Sequence, residues 1–344
     1  MSDGRLYWLD AVKGLGILSV VWLHMHNGYT DVLYIDQMFL KWICSFHMAL
    51  FFVAAGYCYK MNANNIMHKI GGKVKRILVP YFVWGIFIGS FVEVIRVGVE
   101  NWLNELESTI IQILTFQKSY SATWFLFVLF GVYIVEYIIA VVFTKLNLQE
   151  NDVIIAITHI CFLVGGYFID ESIGGYFKIR LICISVFVFY VGVILKKFID
   201  NINYRKDIDI YIWLIISVVM LIAGGVLSLV NPQVNYSQGR FPNPIVSFSS
   251  AVLTIIGIFM MFVCISKLNC YKIKIMRWLE WCGQNSIMIL CVHGTFNLGI
   301  RVIEKIIGLP IHTFPVVLSF VIVLSLNVLF IKMYPKKLLF LFGK

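Results

Sequence analysis

The sequence predicts an all-α, polytopic integral membrane protein with about ten transmembrane helices and both termini in the cytoplasm. Of its 344 residues, 60% are hydrophobic and only 13% are charged. In soluble domains, about a quarter of the residues are charged. Apolar stretches of about 20 residues, the length that spans a bilayer, recur along the whole chain. Lipid offers no partner to open backbone groups, so such spans must be helical. No stretch of soluble character is long enough for a separate globular domain, and residues 1–344 are predicted to form a single transmembrane domain.

Ten spans are predicted, each a mostly apolar stretch separated from the next by a more polar connection. They cover residues 8–27, 38–59, 78–97, 122–144, 153–169, 180–196, 210–230, 247–267, 286–303 and 314–333. The connection between the third and fourth spans carries Leu103, Leu106, Ile110 and Ile113 at helical spacing. We expect it to form a short helix on the outer surface of the membrane.

The distribution of basic residues predicts the orientation of the chain. With the N-terminus inside, 20 of the 28 lysines and arginines fall on the cytoplasmic side. The remaining eight are Lys41, Arg96, Lys118, Lys178, Arg180, Arg240, Arg301 and Lys305. Basic residues favour the cytoplasmic ends of membrane helices, so both termini are predicted to be cytoplasmic. This asymmetry accounts for the net charge of +10 without a nucleic-acid partner.

The first span contains ionisable residues that cost about 2.5–3.5 kcal/mol each at the centre of a membrane helix. Asp10, Lys13 and His24 share one face of the predicted helix, with Lys13 and His24 about 16 Å apart along its axis. Such a polar face is expected to line a wet cavity. Alternatively, Lys13 extends to the inner interface, Asp10 pairs with it and His24 is a core histidine. His26 is expected to point elsewhere, towards the outer interface.

Two other spans carry polar residues that could belong to the same cavity. His47 lies at a depth in the second span similar to that of His24. In the ninth span, Ser286, His293, Asn297 and Arg301 again fall on one helical face, which could contact a sugar or its anionic carrier. The alternative for Asn297 is a hydrogen bond between helices.

The third and fifth spans contain further ionisable residues. Glu93 and Arg96 are spaced for an ion pair within the third helix, which is the favoured interpretation. His159 interrupts its span without an evident partner.

A basic cluster follows the second span. Lys69, Lys73 and Arg76 lie on one helical face, with Gly71-Gly72 expected to permit a turn before Lys73 and Arg76. Such a cluster can bind the phosphates of a cytoplasmic donor, or it can serve only to retain the loop inside. The cysteines lie mostly in apolar runs without a CxxC pair and are interpreted as apolar filler, so no metal site is predicted.

Several of these stretches resemble motifs of the acyltransferase 3 family, in the family's order and spacing. "LDAVKGLGILSVVWLH" (9–24) resembles its first helix and "FHMALFFVAAGY" (46–57) its second-helix motif, and the others are "KVKRILVPYFVW" (73–84), "TWFLFVLF" (123–130) and "GQNSIMILCVH" (283–293). This sequence departs from the family pattern with Lys13 where Arg is frequent, Ala49 where Pro is usual and Ala55 where Ser is usual.

The resemblance implies a ten-helix domain that takes an acyl group, commonly acetyl, from cytoplasmic acyl-CoA. The acceptor would be a hydroxyl of a surface glycan or lipid-linked saccharide, with acetyl-CoA as co-substrate and no tightly bound cofactor. The implied setting is an inner or plasma membrane, crossed many times, in a bacterial cell. The oligomeric state is not predicted.

The resemblance also assigns roles to individual residues. Lys13 takes the basic place and His24 the histidine place of the family's first-helix motif, and the basic motif maps onto Lys73 and Arg76. His24, His47 and Asp10 are predicted to act in catalysis. His24 would be a general base or a transiently acylated nucleophile, and Asp10 could orient Lys13 or a water. Lys13, Lys73 and Arg76 are predicted to bind the donor. The predicted acceptor or cavity residues are Glu93, Trp124, His293, Asn297 and Arg301.

Two other classes of function also fit the sequence. A secondary transporter can have ten helices with charged faces, but the paired, broken helices of repeated halves are not apparent. The second alternative is a non-catalytic membrane partner of a glycan synthase.

Overall fold

The computed structural model describes residues 5–26, 34–98, 101–116, 121–169, 176–204, 209–268, 273–310 and 312–344. These residues are mostly α-helical and form no β-strand, apart from an isolated antiparallel bridge between Asn235 and Arg240. The all-α prediction is confirmed. Four residues of the charge count, Lys118, Arg205, Lys206 and Lys272, lie outside the described part, and the orientation in the membrane stays a prediction.

Thirteen α-helices are described. In chain order they are α1 (Tyr7–His26), α2 (Tyr34–Tyr57), α3 (Ile66–Lys73), α4 (Val79–Val97), α5 (Trp102–Leu114), α6 (Trp124–Lys145), α7 (Asp152–Phe168), α8 (Ile179–Tyr204), α9 (Ile210–Leu229), α10 (Pro244–Lys267), α11 (Lys274–Gln284), α12 (Ser286–Ile306) and α13 (Val316–Met333). A π-helical turn, Val74–Leu78, joins α3 to α4. Short 3₁₀ helices cover Ser121–Thr123, Tyr176–Lys178, Tyr236–Gln238 and Lys336–Phe342.

The membrane-spanning helices agree with the sequence pattern. Within the described residues, nine helical segments are long and apolar enough to cross a membrane, and the 17-residue α7 is a shorter apolar helix at the place of the fifth predicted span. The third segment is longer than predicted, because α3, the π turn and α4 run on from Ile66 to Arg96. The turn expected at Gly71-Gly72 is wrong: both glycines lie inside α3. A glycine costs a helix only about 1 kcal/mol, which the flanking residues can offset.

Several helices begin where a side chain caps the first turn. Asn151 accepts a hydrogen bond from the backbone N–H of Ile154 at the start of α7, and Asp209 accepts one from Tyr211 at the start of α9. Asn243 does the same for α10, and Pro244 follows at a position where a helix needs no backbone N–H. These residues fix the boundaries between apolar spans.

The chain divides into two compact units, each assembled from separate segments. The first unit contains Met1–Tyr59, Phe189–Leu290 and Phe296–Leu326, and the second contains Lys60–Val188, Cys291–Thr295 and Asn327–Lys344. The single-domain prediction concerns the chain as a whole and stays a prediction.

In the first unit, α1 packs closely against α11 as well as against α2. A side chain at Gly14 would overlap the carbonyl oxygen of Leu279, and one at Gly283 would overlap that of Asp10. Two glycines therefore allow the backbones of α1 and α11 to approach, as small residues do at membrane helix interfaces. The contact fixes the segment of α1 that contains Asp10.

In the second unit, aromatic rings fill the space between α4, α5 and α6. The ring of Phe116 stacks on that of Phe127 with centroids 3.9 Å apart, and Tyr81 contacts both. The helix predicted between the third and fourth spans is confirmed as α5, and its Ile113 is fully buried beside Tyr81.

Candidate functional site

A cluster of charged side chains lies at the start of α1. Asp10 is buried, with 6% of its side chain exposed, and it accepts hydrogen bonds from Arg5 Nε at 2.7 Å and Lys13 Nζ at 2.8 Å. The Lys13 side chain is 30% exposed. The hydrogen bond to Asp10 raises the pKa of the Arg5 guanidinium above its ordinary value. Asp10 thus orients two cations, one of which the sequence analysis did not single out.

Glu280, on the neighbouring α11, adds a second carboxyl to this region. Burial, followed by the negative charge of Asp10, raises the pKa of Glu280 above its ordinary value. Its Oε1 accepts a hydrogen bond from Gln284 at 2.9 Å. Sequence reasoning missed Glu280, because only the contact between α1 and α11 brings it near Asp10.

At the other end of α1, His24 is half-buried. The side-chain amide of Asn297, on α12, donates a hydrogen bond to the backbone oxygen of His24 at 3.3 Å. The structure thus brings these two predicted residues together, although through the main chain of His24. The bond is the interhelical contact expected as the alternative role of Asn297.

His26 does not face outwards as predicted. Its side chain is buried, and its Nδ1 lies 3.0 Å from the backbone oxygen of Trp22, whose ring it also contacts. The prediction is wrong because it followed the helical angle alone and did not foresee the packing around the end of α1.

The face shared by Lys13 and His24 is accessible only near its ends. Ile17 and Val20 lie on this face between the two residues, and both are buried completely or nearly so. Lys13 and His24 are half-buried. Lys13 and His24 are thus two partly exposed residues about 16 Å apart along α1, with buried apolar side chains between them.

His47 is buried in α2, and its Nδ1 lies 2.8 Å from the backbone oxygen of Ile43. A carbonyl oxygen only accepts hydrogen bonds, so Nδ1 of His47 carries the proton. In the neutral imidazole the basic nitrogen is then Nε2. This geometry suits a proton acceptor.

Arg301 is part of a closed ion pair. Its Nη1 lies 3.1 and 3.2 Å from the carboxylate oxygens of Glu304, which is completely buried. The same carboxylate accepts hydrogen bonds from the backbone N–H groups of His312 and Phe314 at 3.0 and 2.9 Å. Glu304, which the sequence analysis did not select, therefore fastens the chain after α12 to the helix. We call these four residues the Glu304 clamp.

The basic cluster of Lys69, Lys73 and Arg76, predicted to bind the donor, lies in the second unit. Lys73 Nζ stands 3.6 Å from the ring centroid of Tyr133, and Arg76 is exposed in the π turn. Lys69 Nζ instead donates to the backbone oxygen of Asn62 at 2.9 Å. Lys73 and Arg76 thus remain together on the π-containing segment, whereas Lys69 has a local structural contact.

Three further predicted residues also lie in the second unit. Glu93 is buried and pairs with Arg96 at 2.6 Å, and Arg96 also reaches Glu105 of α5 at 3.4 Å, which confirms the predicted ion pair. Trp124 begins α6 and is buried, and His293 of α12 is completely buried.

Sequence reasoning also missed the partner of His159. In the second unit, its Nε2 lies 3.1 Å from Oε1 of Glu136, and both side chains are buried. The available signal was Glu136 itself, a carboxyl group in the apolar run of α6, where an ionisable residue needs a partner. Among the described residues, no three histidine, cysteine, aspartate or glutamate side chains cluster as metal ligands do.

The fold and these buried ionisable groups define a multi-pass membrane protein with polar sites inside its helices. The profile of an acyltransferase domain matches residues 6–331 of the 344. The chain therefore belongs to the acyltransferase 3 family and is a membrane acyltransferase. No curated protein and no solved structure matches it.

Proposed function

We propose that this protein transfers an acyl group, acetyl in the first instance, from cytoplasmic acyl-CoA to a hydroxyl of a cell-surface or lipid-linked saccharide. The observation that carries the proposal is the arrangement of α1. A buried Asp10 holds a half-buried Lys13 at one end of a helical face, and a half-buried His24 lies at the other end. The cation suits an anionic donor, and the histidine suits proton transfer or nucleophilic attack.

In the general-base route, His24 takes the proton of the acceptor hydroxyl as its oxygen attacks the thioester carbonyl. The carbon–sulfur bond breaks, and the CoA thiolate receives the proton to leave as a free thiol. Electron pairs and protons balance without a further reactant, and the products are an ester and CoA. Lys13, Lys73 and Arg76 act on the donor by charge, before the chemical step.

In the nucleophilic route, a ring nitrogen of His24 attacks the thioester carbonyl, the carbon–sulfur bond breaks, and CoA leaves as a thiol with the proton that the imidazole gives up. The acceptor hydroxyl then attacks the acyl-imidazole, its proton passes to the departing ring, and an ester and neutral His24 result. The two routes differ when no acceptor is present. Protein quenched after incubation with carbon-labelled acetyl-CoA retains label only in the nucleophilic route, and His24→Ala then removes it.

His47 is proposed as a second proton acceptor, because its Nδ1 is engaged by Ile43 and leaves Nε2 basic. Trp124 and His293 are proposed to line the acceptor side, and Glu93 and Asn297 to hold the helices that carry the site. The contacts of Arg301 support a structural role through Glu304 over direct binding of the acceptor.

The activity is tested by incubating purified protein with labelled acetyl-CoA and a membrane glycan extract. We expect label to appear in saccharide as an alkali-labile ester. Uptake of an unmodified solute by proteoliposomes without transfer indicates the transporter, and neither activity indicates a non-catalytic partner.

The cytoplasmic position of the donor rests on the 20-to-8 distribution of basic residues. A topology reporter fused after Lys344 should be active in the cytoplasm, and one inserted near Ser237 should be active outside. The opposite result at either position contradicts the proposed orientation.

A further inference from the structure

The segment that carries Lys73 and Arg76 departs from regular helical geometry. Between α3 and α4, residues Val74–Leu78 form a π-helical turn, closed by a backbone hydrogen bond from Val79 to the oxygen of Val74. π turns are rare and are frequently found at functional sites. The additional residue turns later side chains by about 100° relative to an uninterrupted helix. The direction of Arg76 relative to Lys73 thus depends on this turn being maintained.

The C-terminal segment, which we define as residues 336–343, packs against the same part of the second unit. Its Phe342 is completely buried and stacks on Trp84 of α4 with ring centroids 4.4 Å apart. Trp84 Nε1 also donates a hydrogen bond to the backbone oxygen of Leu341 at 3.2 Å. Tyr334 contacts the edge of the Phe342 ring at 5.0 Å. The ring stack of Phe342 on Trp84 and the adjacent hydrogen bond to Leu341 therefore attach the C-terminal segment to α4.

Gly343 brings the end of this segment onto the π turn itself. Its φ of +73° is in the left-handed region that favours glycine. A Cβ at this position would overlap the backbone of Arg76, including its carbonyl oxygen. The main chain at Gly343 thus lies directly against the main chain of Arg76, while Tyr133 holds the side chain of Lys73.

We infer that Phe342 and Gly343 are positioning residues for the acyl-CoA donor, because they hold the π turn that directs Arg76. This inference rests on the proposed role of Lys73 and Arg76 in donor binding. Contact with Gly343 restrains the main chain of the π turn before the donor binds. The turn therefore loses less conformational freedom when it binds a polyanion, which is pre-organisation of the bound form. If the segment only covers apolar surface, changing it alters stability and leaves donor affinity intact.

A matched pair of glycines separates these alternatives. Gly343 and Gly308 each end a helix with the same pair of backbone hydrogen bonds. The N–H of the glycine donates to the carbonyl oxygen three residues earlier, and the N–H of the following residue donates to the carbonyl oxygen five residues before it. Their φ angles are +73° and +75°. Alanine therefore has a similar backbone cost at both positions. The difference is in the surroundings, because Gly308 has nothing within 4 Å of an added Cβ and Gly343 has Arg76.

The measurement is equilibrium binding of radiolabelled acetyl-CoA to the full chain in lipid nanodiscs. We expect Gly343→Ala to raise the Kd about five- to tenfold, and Gly308→Ala to change it by less than about twofold. Equal Kd values for Gly343→Ala and Gly308→Ala overturn the inference.

A second pair decides the matter if Gly343→Ala does not fold. Phe342→Leu removes the ring stack on Trp84, whereas Phe340→Leu changes a neighbouring ring that is 56% exposed. A higher Kd in Phe342→Leu alone supports the inference, and equal values overturn it.

Arg76→Gln in the same assay distinguishes this inference from the function on which it rests. If Arg76→Gln leaves the Kd unchanged, the proposed donor site is wrong, and the inference falls with it. If Arg76→Gln weakens binding but Gly343→Ala and Phe342→Leu do not, only the positioning role is wrong.

Discussion

Two ion pairs with the same spacing differ in what surrounds them. Asp10 pairs with Lys13 and Arg301 pairs with Glu304, in both cases three residues apart on a helix with a nearly fully buried carboxylate. The Lys13 side chain is 30% exposed, whereas that of Arg301 is 10% exposed. In its described contacts, Asp10 accepts hydrogen bonds from side chains alone. Glu304 also accepts hydrogen bonds from the backbone N–H groups of His312 and Phe314.

The difference indicates separate roles for two pairs that look alike in sequence. A cation that is held in place and still partly exposed can receive an anionic substrate. A cation that is enclosed with its counter-ion, and whose counter-ion also holds a loop, stabilises the fold. Spacing alone does not distinguish the two, since burial and backbone contacts come from tertiary packing.

The largest effect on stability is expected for Glu304→Gln. The variant removes the negative charge from a completely buried site and leaves Arg301 without its counter-ion. Breaking a buried pair in this way costs about 3–5 kcal/mol. Thermal unfolding of detergent-solubilised protein should show a marked loss of stability, while protein that remains folded binds acetyl-CoA normally.

Glu93→Gln is the matched control for this prediction. Glu93 is as buried as Glu304, but its partner Arg96 is 56% exposed and can be solvated when the pair is broken. We expect a loss of about 1 kcal/mol or less. Equal losses in the two variants would remove the basis for treating the Glu304 clamp as special.

Lys13 should affect donor binding more than stability. Lys13→Ala removes a partly exposed charge, so we expect the Kd for acetyl-CoA to rise about tenfold and the salt dependence of binding to weaken. Lys13→Arg keeps the charge and should retain much of the activity. An unaltered Kd with lost turnover would place Lys13 in the reaction centre instead of in the donor-binding site.

The smallest effect is a pH dependence at His312. Burial, followed by the positive charge of Arg301, lowers the pKa of His312 below its ordinary value of 6.5. His312 therefore binds a proton more readily in the unfolded chain than in the folded one. Its contribution to the free energy of unfolding is complete above pH 6.5 and decreases as the pH falls below this value. His312→Asn, a residue that tolerates the positive φ found there, should remove this dependence from unfolding curves recorded at several pH values.

Much of the fold follows from the sequence because bilayer physics restricts it. Apolar length places the nine membrane-spanning segments and the shorter α7, and the Asp10–Lys13 and Glu93–Arg96 pairs follow from helical spacing. Contacts distant in sequence could not be obtained in this way. The approach of Gly283 to α1 and that of Gly343 to Arg76 depend on close contact between backbone segments distant in sequence.

The candidate site was predictable to a similar degree. The residue types on α1 were visible in the sequence, but the burial of Ile17 and Val20 between Lys13 and His24 was not. The pairing of His159 with Glu136 joins α6 to α7, and neither span reveals it alone. Sequence periodicity assigns a side chain to a face of a helix. Tertiary packing determines which residues contact that face, or whether it stays exposed.

The role of His24 is the central claim, and steady-state transfer by His24→Ala tests it most directly. The protein is purified in folded form, and turnover of labelled acetyl-CoA with a glycan acceptor is measured beside the Kd for acetyl-CoA. We predict that kcat falls by about 10²–10⁴-fold, the usual contribution of a general acid or base, while the Kd stays within about twofold of the wild-type value. A near-normal kcat in His24→Ala would contradict the assignment and transfer the catalytic role to His47 or His293.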